Sequence, residues 1–451
     1  MARVLLISAN FTNFPYPVYP IGLGYIARAC EEAGHEVLQA DIQQDGFEGT
    51  LGRVAEWNPD VVGLSIRNLD NCDSGHFQSS LDGICSLAEG IRTATDKPLV
   101  LGGSGFSLYP EPLLRRTGAD YGIVGEGERK FTALLEALGR KRLPPRGGLF
   151  MAAEHAPVEG FRSCLRSASL MAHYLRFGGV ANVQAKRGCP YECAYCAYPL
   201  LEGKEFRCRD SRDVYEECRE MTDVHKAEYI YFTDSVFNDS EDVYLGIAER
   251  FVREGFRCRW TAFFRPRRGW RGEEIDLLHR SGLECVEWGS DCSTDATLAA
   301  MRKGFDWGAV EESNNLFADR GIANGHYFIF GGPGETKETA AEGLENISRL
   351  RNSVAFAFTG IRIIPRTLVH RLALEEGVVG EDWDGLEARF YFAPGLGREE
   401  VDALIRQSFG EDICRIYPPT RNEELIAALH RLGLKGPLWD HMLKARRRRR
   451  G

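Results

Sequence analysis

The chain has 451 residues, of which 43% are hydrophobic and 27% charged, and it carries a net charge of −9. This length gives room for two or three domains with ample core. The acidic balance argues against a general nucleic-acid binder, and no run approaches the eighteen or so apolar residues of a membrane span.

Arg3 precedes a strand-like Val4-Leu5-Leu6-Ile7, which is too short for a signal-peptide core. Thirteen cysteines with no disulfide-framework spacing fit a reducing cytoplasm. Up to residue 144, apolar runs at Val4–Ile7, Glu36–Ala40, Val61–Ile66, Pro98–Leu101 and Tyr121–Val124 alternate with helical patterns such as Leu23–Ala33 and Phe77–Arg92. Five strands with crossover helices predict a parallel, doubly wound, Rossmann-like sheet. Such sheets bind ligands beyond the carboxyl ends of their strands. Three of those ends are distinctive: Ser65-Ile66-Arg67-Asn68, Gly102-Gly103-Ser104-Gly105, and Val124-Gly125-Glu126-Gly127. Glycine there lets backbone approach a bulky ligand, although ordinary tight turns use glycine as well.

Pro144, Pro145, Gly147 and Gly148 break the pattern, and residues 145–178 read as a connector. Within it, Phe161–Phe177 is mixed, and Tyr174, Leu175 and Phe177 suit a short helix.

Residues 179–374 resume the alternation. Six strands are expected at Ala181–Ala185, Glu228–Thr233, Cys258–Phe263, Glu284–Trp288, Gly325–Phe330 and Ala355–Ile361, separated by helices such as Val214–Val224 and Ala341–Leu350. Six such units fit a partial (β/α)6 barrel, with its active groups at the carboxyl ends of the strands. The first strand leads into Lys186-Arg187-Gly188-Cys189-Pro190-Tyr191-Glu192-Cys193-Ala194-Tyr195-Cys196. Three thiolates at this spacing can cap three corners of an iron–sulfur cube and leave the fourth iron open. Buried structural thiols, or a zinc knuckle completed by Cys208, are the alternatives. The second strand ends at Thr233-Asp234, where Asp234 suits either a ligand ammonium or a helix N-cap. Arg265 and Arg267, after the third strand, suit an anionic substrate group or a solvated strand end.

Residues 375–451 read as a small, mainly helical C-terminal region. Its helices are expected at Glu399–Phe409 and Asn422–Leu432, with an aromatic segment, Arg389–Pro394, before them. The region is expected to cover the barrel mouth. The tail Arg446–Arg450 reads as a solvated, disordered end.

The cysteine stretch resembles the cluster loop of the radical S-adenosylmethionine superfamily. The resemblance implies a 4Fe–4S cluster on Cys189, Cys193 and Cys196, with S-adenosylmethionine held near Tyr195, Asp234, Asp291 and the turn Gly331-Gly332-Pro333. The superfamily's Gly-Gly-Glu-like stretch is missing after the second strand, and Asp291 stands where relatives commonly carry a glutamate. The N-terminal turns, together with Pro20-Ile21-Gly22, resemble the cobalamin-binding domain of one branch of that superfamily. This implies a corrin site at Pro20, Gly22, Ser65, Arg67, Asn68, Gly102, Gly103, Ser104, Val124, Gly125, Glu126 and Gly127. The Asp-x-His-x-x-Gly motif of other cobalamin proteins is absent, so Arg67 or Asn68 is expected under the cobalt in place of histidine. Arginine stays protonated and would not ligate the metal.

Taken together, the resemblance implies a methyltransferase acting on an unactivated carbon of a small molecule, lipid or natural product, supplied by a flavodoxin- or ferredoxin-type electron donor. Radical cyclisation, ring contraction or rearrangement, polar methylation without a deoxyadenosyl radical, and a non-catalytic cobalamin or redox sensor are the other readings.

Overall fold

The computed structural model describes residues 1–12, 17–140, 142, 145–151 and 162–450. Pro144 and Phe161 lie outside the described residues. The first sheet contains β1 (Arg3–Ser8), β2 (Glu36–Asp41), β3 (Val61–Ser65), β4 (Leu99–Gly102), β5 (Tyr121–Val124) and β6 (Gly148–Met151), in the order β2-β1-β3-β4-β5-β6. All its pairings are parallel. Its strands are apolar on both faces: Leu5, Ile7, Val62 and Leu101 pack into one core layer, and Val4, Leu6, Val61 and Val100 into the other. That two-sided burial is what crossover helices on both faces require. The strand order reverses between β1 and β3, so the crevice beyond these two tips is the natural ligand position.

The sheet has six strands where five were expected. β6 arises inside the stretch read as a connector. It is a four-residue edge strand that follows chain breakers, so it offers little periodicity to detect. The rest of the connector is stitched to the first domain: Leu165 N–H donates to the Gly24 carbonyl at 3.0 Å, and the Leu165 carbonyl accepts from Gln39 Nε2 at 3.0 Å. The helix Ala168–Leu175 follows, N-capped by Ser167.

The second sheet is also parallel and open. β7 (Val180–Val183) leads through the short hairpin β8 (Lys186–Arg187) and β9 (Arg207–Cys208) to β10 (Tyr229–Phe232), β11 (Arg259–Phe264), β12 (Leu283–Asp291), β13 (Ala323–Phe330) and β14 (Ser353–Thr359). A second hairpin, β15 (Ile361–Arg362) with β16 (Phe390–Tyr391), precedes β17 (Arg415–Ile416). The sheet order β17-β14-β13-β12-β11-β10-β7 is an unclosed barrel of seven strands, one more than expected. The seventh strand has only two residues and comes from the C-terminal region, which is therefore not purely helical.

That region does two separate jobs. Phe392, just after β16, packs over Gly331 and Gly360 at the barrel mouth. The helix Trp439–Arg450 closes the opposite end, with Trp439, Met442 and Leu443 buried against Cys285 and Phe356. The basic tail is thus the end of a packed helix, contrary to the expected disordered end. Arg446 pairs with Asp412 at 2.5 Å and Arg447 donates to Asn352 at 2.7 Å. The buried apolar turn that precedes the arginines anchors them. No helix among the described residues is long and apolar enough to cross a membrane.

Candidate functional site

The three thiols sit on the loop that leaves β8. Gly188 has φ +86°, and a Cβ there would lie 1.9 Å from the Glu205 carbonyl oxygen, so only glycine fits. The loop is pinned by backbone bonds from Cys189 N–H to Gly203 (3.0 Å), Ala194 N–H to Met301 (2.9 Å) and Cys196 N–H to Cys193 (3.1 Å). Cys189 is buried, Cys193 and Cys196 are half-buried, and all three are free. Burial raises the Cys189 and Cys196 thiols, the latter to about 12, while the Lys303 ammonium pulls both the other way. Coordination by a metal deprotonates such thiols outright. Among the described residues, no three of His, Cys, Asp or Glu converge as they would on a single ion. Three free thiols on one pinned loop are a donor set that suits the capping of separate irons.

A buried polar frame carries this loop. Asp234, at the end of β10, accepts from Ala185 N–H (2.7 Å) and Lys186 N–H (3.2 Å) through Oδ1. Its Oδ2 is buried with no partner, and burial raises the carboxyl to about 7. Asp234 caps no helix, which corrects that alternative. The N–H groups that begin the helix Val243–Arg253 bond instead to Asp239. Asp239 also pairs with the fully buried Lys186 at 2.5 Å.

Asp291 ends β12 at φ +58°. Its Oδ2 accepts from the Tyr195 hydroxyl at 2.7 Å and from the Lys303 ammonium. Burial alone would lower Lys303. Asp291 and Cys193 outweigh that effect and hold the ammonium charged. Nothing in the sequence marks Lys303, a lone lysine twelve residues beyond its partner.

The turn after β13 closes on itself. Glu335 accepts from the Gly331 N–H, while the Gly331 carbonyl accepts from Ala393 N–H at 2.9 Å. Gly332 lies against Ile361 and Met301, and Pro333 is buried beside it.

Arg265 stacks over Tyr191 (4.1 Å) and Phe305 (4.9 Å) and donates to the Lys303 carbonyl at 2.7 Å. Arg267 pairs with Glu274 at 2.7 Å and lies 3.9 Å over Trp270. Both arginines brace protein in this structure.

The N-terminal turns lie across from this loop. The Pro20 carbonyl starts the helix Ile21–Glu32, and a Cβ on Gly22 would meet nothing within 4 Å. Ser65 and Asn68 are half-buried, and Arg67 is exposed. Ser104 donates to the Arg67 carbonyl at 3.0 Å. Gly103 has φ +97°, and a Cβ there would sit 2.5 Å from the Ile66 carbonyl oxygen; at Gly105 it would sit 2.9 Å from that of Arg67. These two glycines are demanded by the crossing of two protein segments, whatever ligand lies beyond. Gly102 has ordinary space, its nearest contact lying 4.0 Å away. After Val124, Gly125 at φ +78° donates to Ser107 at 2.9 Å, and Gly127 packs on Ile26.

Glu126 reaches across to the second domain. It pairs with Arg207, and with Arg187 at 3.4 Å, while Arg187 also pairs with Glu128 at 2.7 Å. Other ties between the domains are Asp70 to Arg362 (2.9 Å), Arg366 to the Ser107 carbonyl (3.1 Å), and Ser74 to the Thr359 carbonyl. The helix Ser104–Leu108 packs on the helix Tyr198–Glu202, which follows the cysteines. The carboxyl ends of the two sheets therefore face each other.

Comparison with known proteins gives the same two domains. The B12 binding domain model matches residues 7–135, and that of the radical SAM superfamily matches residues 183–347. The chain is 26% identical to tryptophan 2-C-methyltransferase of Streptomyces laurentii, over 80% of this chain and 73% of that protein. It is 25% identical to hopanoid C-3 methylase of Methylococcus capsulatus, over 67% and 59%. Among solved structures it resembles the radical S-adenosylmethionine methyltransferase TsrM from Kitasatospora setae, with tryptophan and a SAM analog bound. The TM-score is 0.85 at 24% identity, over 99% of both chains. It also resembles the cobalamin-dependent S-adenosylmethionine radical enzyme OxsB, with TM-score 0.70 at 15% identity, over 99% of this chain and 70% of that one. These structural likenesses establish the fold. With both domain models matched in tandem, the chain belongs to the cobalamin-binding radical S-adenosylmethionine enzymes, whose cofactors are a 4Fe–4S cluster, S-adenosylmethionine and cobalamin.

Proposed function

We propose that this enzyme transfers a methyl group to a carbon of a small-molecule, lipid or natural-product substrate held between its two domains. The observation that carries this reading is the facing of the two sets of strand ends, tied by Asp70–Arg362 and by Glu126 with Arg187 and Arg207. The methylases among its relatives agree with it. When bound, S-adenosylmethionine supplies the methyl group, cobalamin carries it and the cluster supplies an electron.

The chain's own residues bind and position. Cys189, Cys193 and Cys196 hold the cluster. Tyr195, Asp234, Asp291, Gly331, Gly332 and Pro333 surround S-adenosylmethionine, where the unpartnered Asp234 Oδ2 is a ready acceptor for its ammonium. Pro20, Gly22, Ser65, Arg67, Asn68, Gly102–Ser104 and Val124–Gly127 form the cobalamin side. No protein imidazole ligates cobalt in this reading. Of the first domain's two histidines, His35 accepts from Ala2 N–H at the amino end of β1, and His76 lies beside Glu423. The reading places domain limits near residues 144, 178 and 374, with β6 from the segment after 144 added to the first sheet. A low-potential flavodoxin- or ferredoxin-type donor and a reducing cytoplasm belong to the same proposal, and the thirteen free cysteines suit that compartment.

The test is anaerobic reconstitution with S-adenosylmethionine and a low-potential reductant, with nucleoside products measured with and without cobalamin. Cobalamin-dependent S-adenosylhomocysteine is expected. 5′-Deoxyadenosine without S-adenosylhomocysteine would point to cyclisation or rearrangement without methylation. Neither product would leave the sensor reading.

A further inference from the structure

A parallel strand covered on both faces is buried along its whole length. The second sheet departs from this near the carboxyl ends of its strands. Tyr231, Phe263, Tyr327 and Phe358 are half-buried, whereas their neighbours Phe232, Phe264, Phe328 and Ala357 are fully buried. One face therefore looks onto open space, and that face is aromatic. Tyr231 meets Phe263 edge-on (ring centres 6.4 Å apart, 81°), and Phe263 meets Tyr327 at 5.6 Å. Tyr327 stacks on Phe356 at 5.2 Å. The floor is held rigidly, because the Tyr327 hydroxyl donates to Glu287 at 2.6 Å and the other oxygen of Glu287 accepts from Trp439 Nε1 at 2.7 Å.

Gly289 interrupts this floor. It lies on β12, between the strands that carry Phe263 and Tyr327, while its neighbours Trp288 and Ser290 are fully buried on the other face, Ser290 against His326; the strand shifts register between Trp288 and Asp291. A Cβ on Gly289 would meet nothing nearer than the Phe264 carbonyl oxygen at 3.8 Å, and its φ is not positive. Gly331 and Gly360 at the same mouth contrast with it, since a Cβ on either would strike Phe392 at 2.8 or 2.6 Å. No packing or backbone need explains glycine at 289. It leaves a slot beside the touching rings of Phe263 and Tyr327, two residues along the chain from Asp291. The charges at the rim are engaged with protein: Lys303 with Asp291, and Arg265 with the Lys303 carbonyl and two ring faces.

We infer that this slot takes the reacting part of the substrate as an uncharged, flat aromatic ring, with Gly289 setting the room available to it. Ring faces and edges at these angles favour a planar π-system over a saturated one. The inference rests on the methyl-transfer reading but is tested by binding alone, so the two can fail separately.

The experiment is equilibrium binding of indole, and of decan-1-ol as the saturated comparison, to the cofactor-loaded enzyme and to its Gly289→Val variant. Indole is expected to bind saturably and more tightly than decan-1-ol. The valine side chain is expected to weaken indole by about tenfold or more. The cluster and cobalamin spectra of the variant should match the parent's, because the added Cβ has ordinary space and the valine methyl groups would project into the slot. Should they differ, Phe263→Leu decides, with an expected loss of about fivefold in indole affinity. Indole binding that neither substitution changes, or tighter binding of decan-1-ol, overturns the inference even if S-adenosylhomocysteine is formed. Conversely, indole binding that meets these expectations stands even if no S-adenosylhomocysteine appears.

Discussion

Lys303 and Asp291 form a buried ion pair beside the cluster loop, and Tyr195 shares the same carboxylate oxygen. Removing one member leaves an uncompensated charge, so Lys303→Met is expected to cost about 3 kcal/mol or more of stability. Adding Asp291→Asn should restore much of that loss, and the coupling is read from a double-mutant cycle in urea. Additive losses would mean that the pair is not formed. Glu335 makes a pH-dependent contribution of the opposite kind. Burial raises its carboxyl to about 7, with the Gly331 and Gly332 N–H groups working against the shift. Its folded pKa lies above the unfolded value, so the protonated side chain favours the fold. The stabilisation is full below the unfolded pKa and is lost as pH rises toward 7. The expected loss is about 3 kcal/mol between those limits, and Glu335→Gln should flatten this part of the pH profile of the urea midpoint. An unchanged profile would show that Glu335 does not titrate there. The cysteine triad was legible as a site candidate because type and spacing mark it, and Asp291 only through the family resemblance. Lys303 was not, because its role depends on a burial and a partner that no local pattern encodes. Gly103 and Gly105 stood out in the sequence for a plainer reason than ligand approach: two backbones cross there.

At the scale of elements, the cysteine loop is a bent segment pinned at both ends, and Gly188 is its tightest point. Gly188→Ala adds a Cβ 1.9 Å from the Glu205 carbonyl oxygen at a φ that L-residues rarely adopt. Anaerobic reconstitution of this variant is expected to give well under half the parent's iron, with the fold retained by circular dichroism. Full iron content would show that the loop accommodates the change. The long strands and their crossover helices were readable because two-sided burial writes continuous apolar runs into the chain. The strands missed in the two large sheets, β6 and β17, are four and two residues long and lie at sheet edges. Such elements owe their conformation to a neighbour's hydrogen bonds more than to their own sequence. The terminal helix was misread for a related reason: its run of arginines outweighs the few buried residues, Trp439, Met442 and Leu443, that dock it.

At the scale of the molecule, two parallel sheets present their carboxyl ends to one another across a shared space. Ion pairs that join residues some 60 to 290 positions apart in the chain lock this arrangement. Each sheet was predictable alone, and the need for two cofactors to meet over one substrate requires their mouths to face each other. The contacts that fix this were not predictable, since Glu126 and Arg187, or Asp70 and Arg362, carry nothing in their local sequence that names the partner. The central claim is that the cobalamin and the cluster lie on either side of one cavity. Paramagnetic resonance of enzyme holding cobalt(II) and the reduced cluster together tests this most directly. A spin–spin interaction is expected to broaden or split the cobalt(II) signal on reduction of the cluster, and to vanish in a Cys189→Ala, Cys193→Ala, Cys196→Ala variant. A spectrum equal to the sum of the two isolated centres would contradict the facing of the two sites.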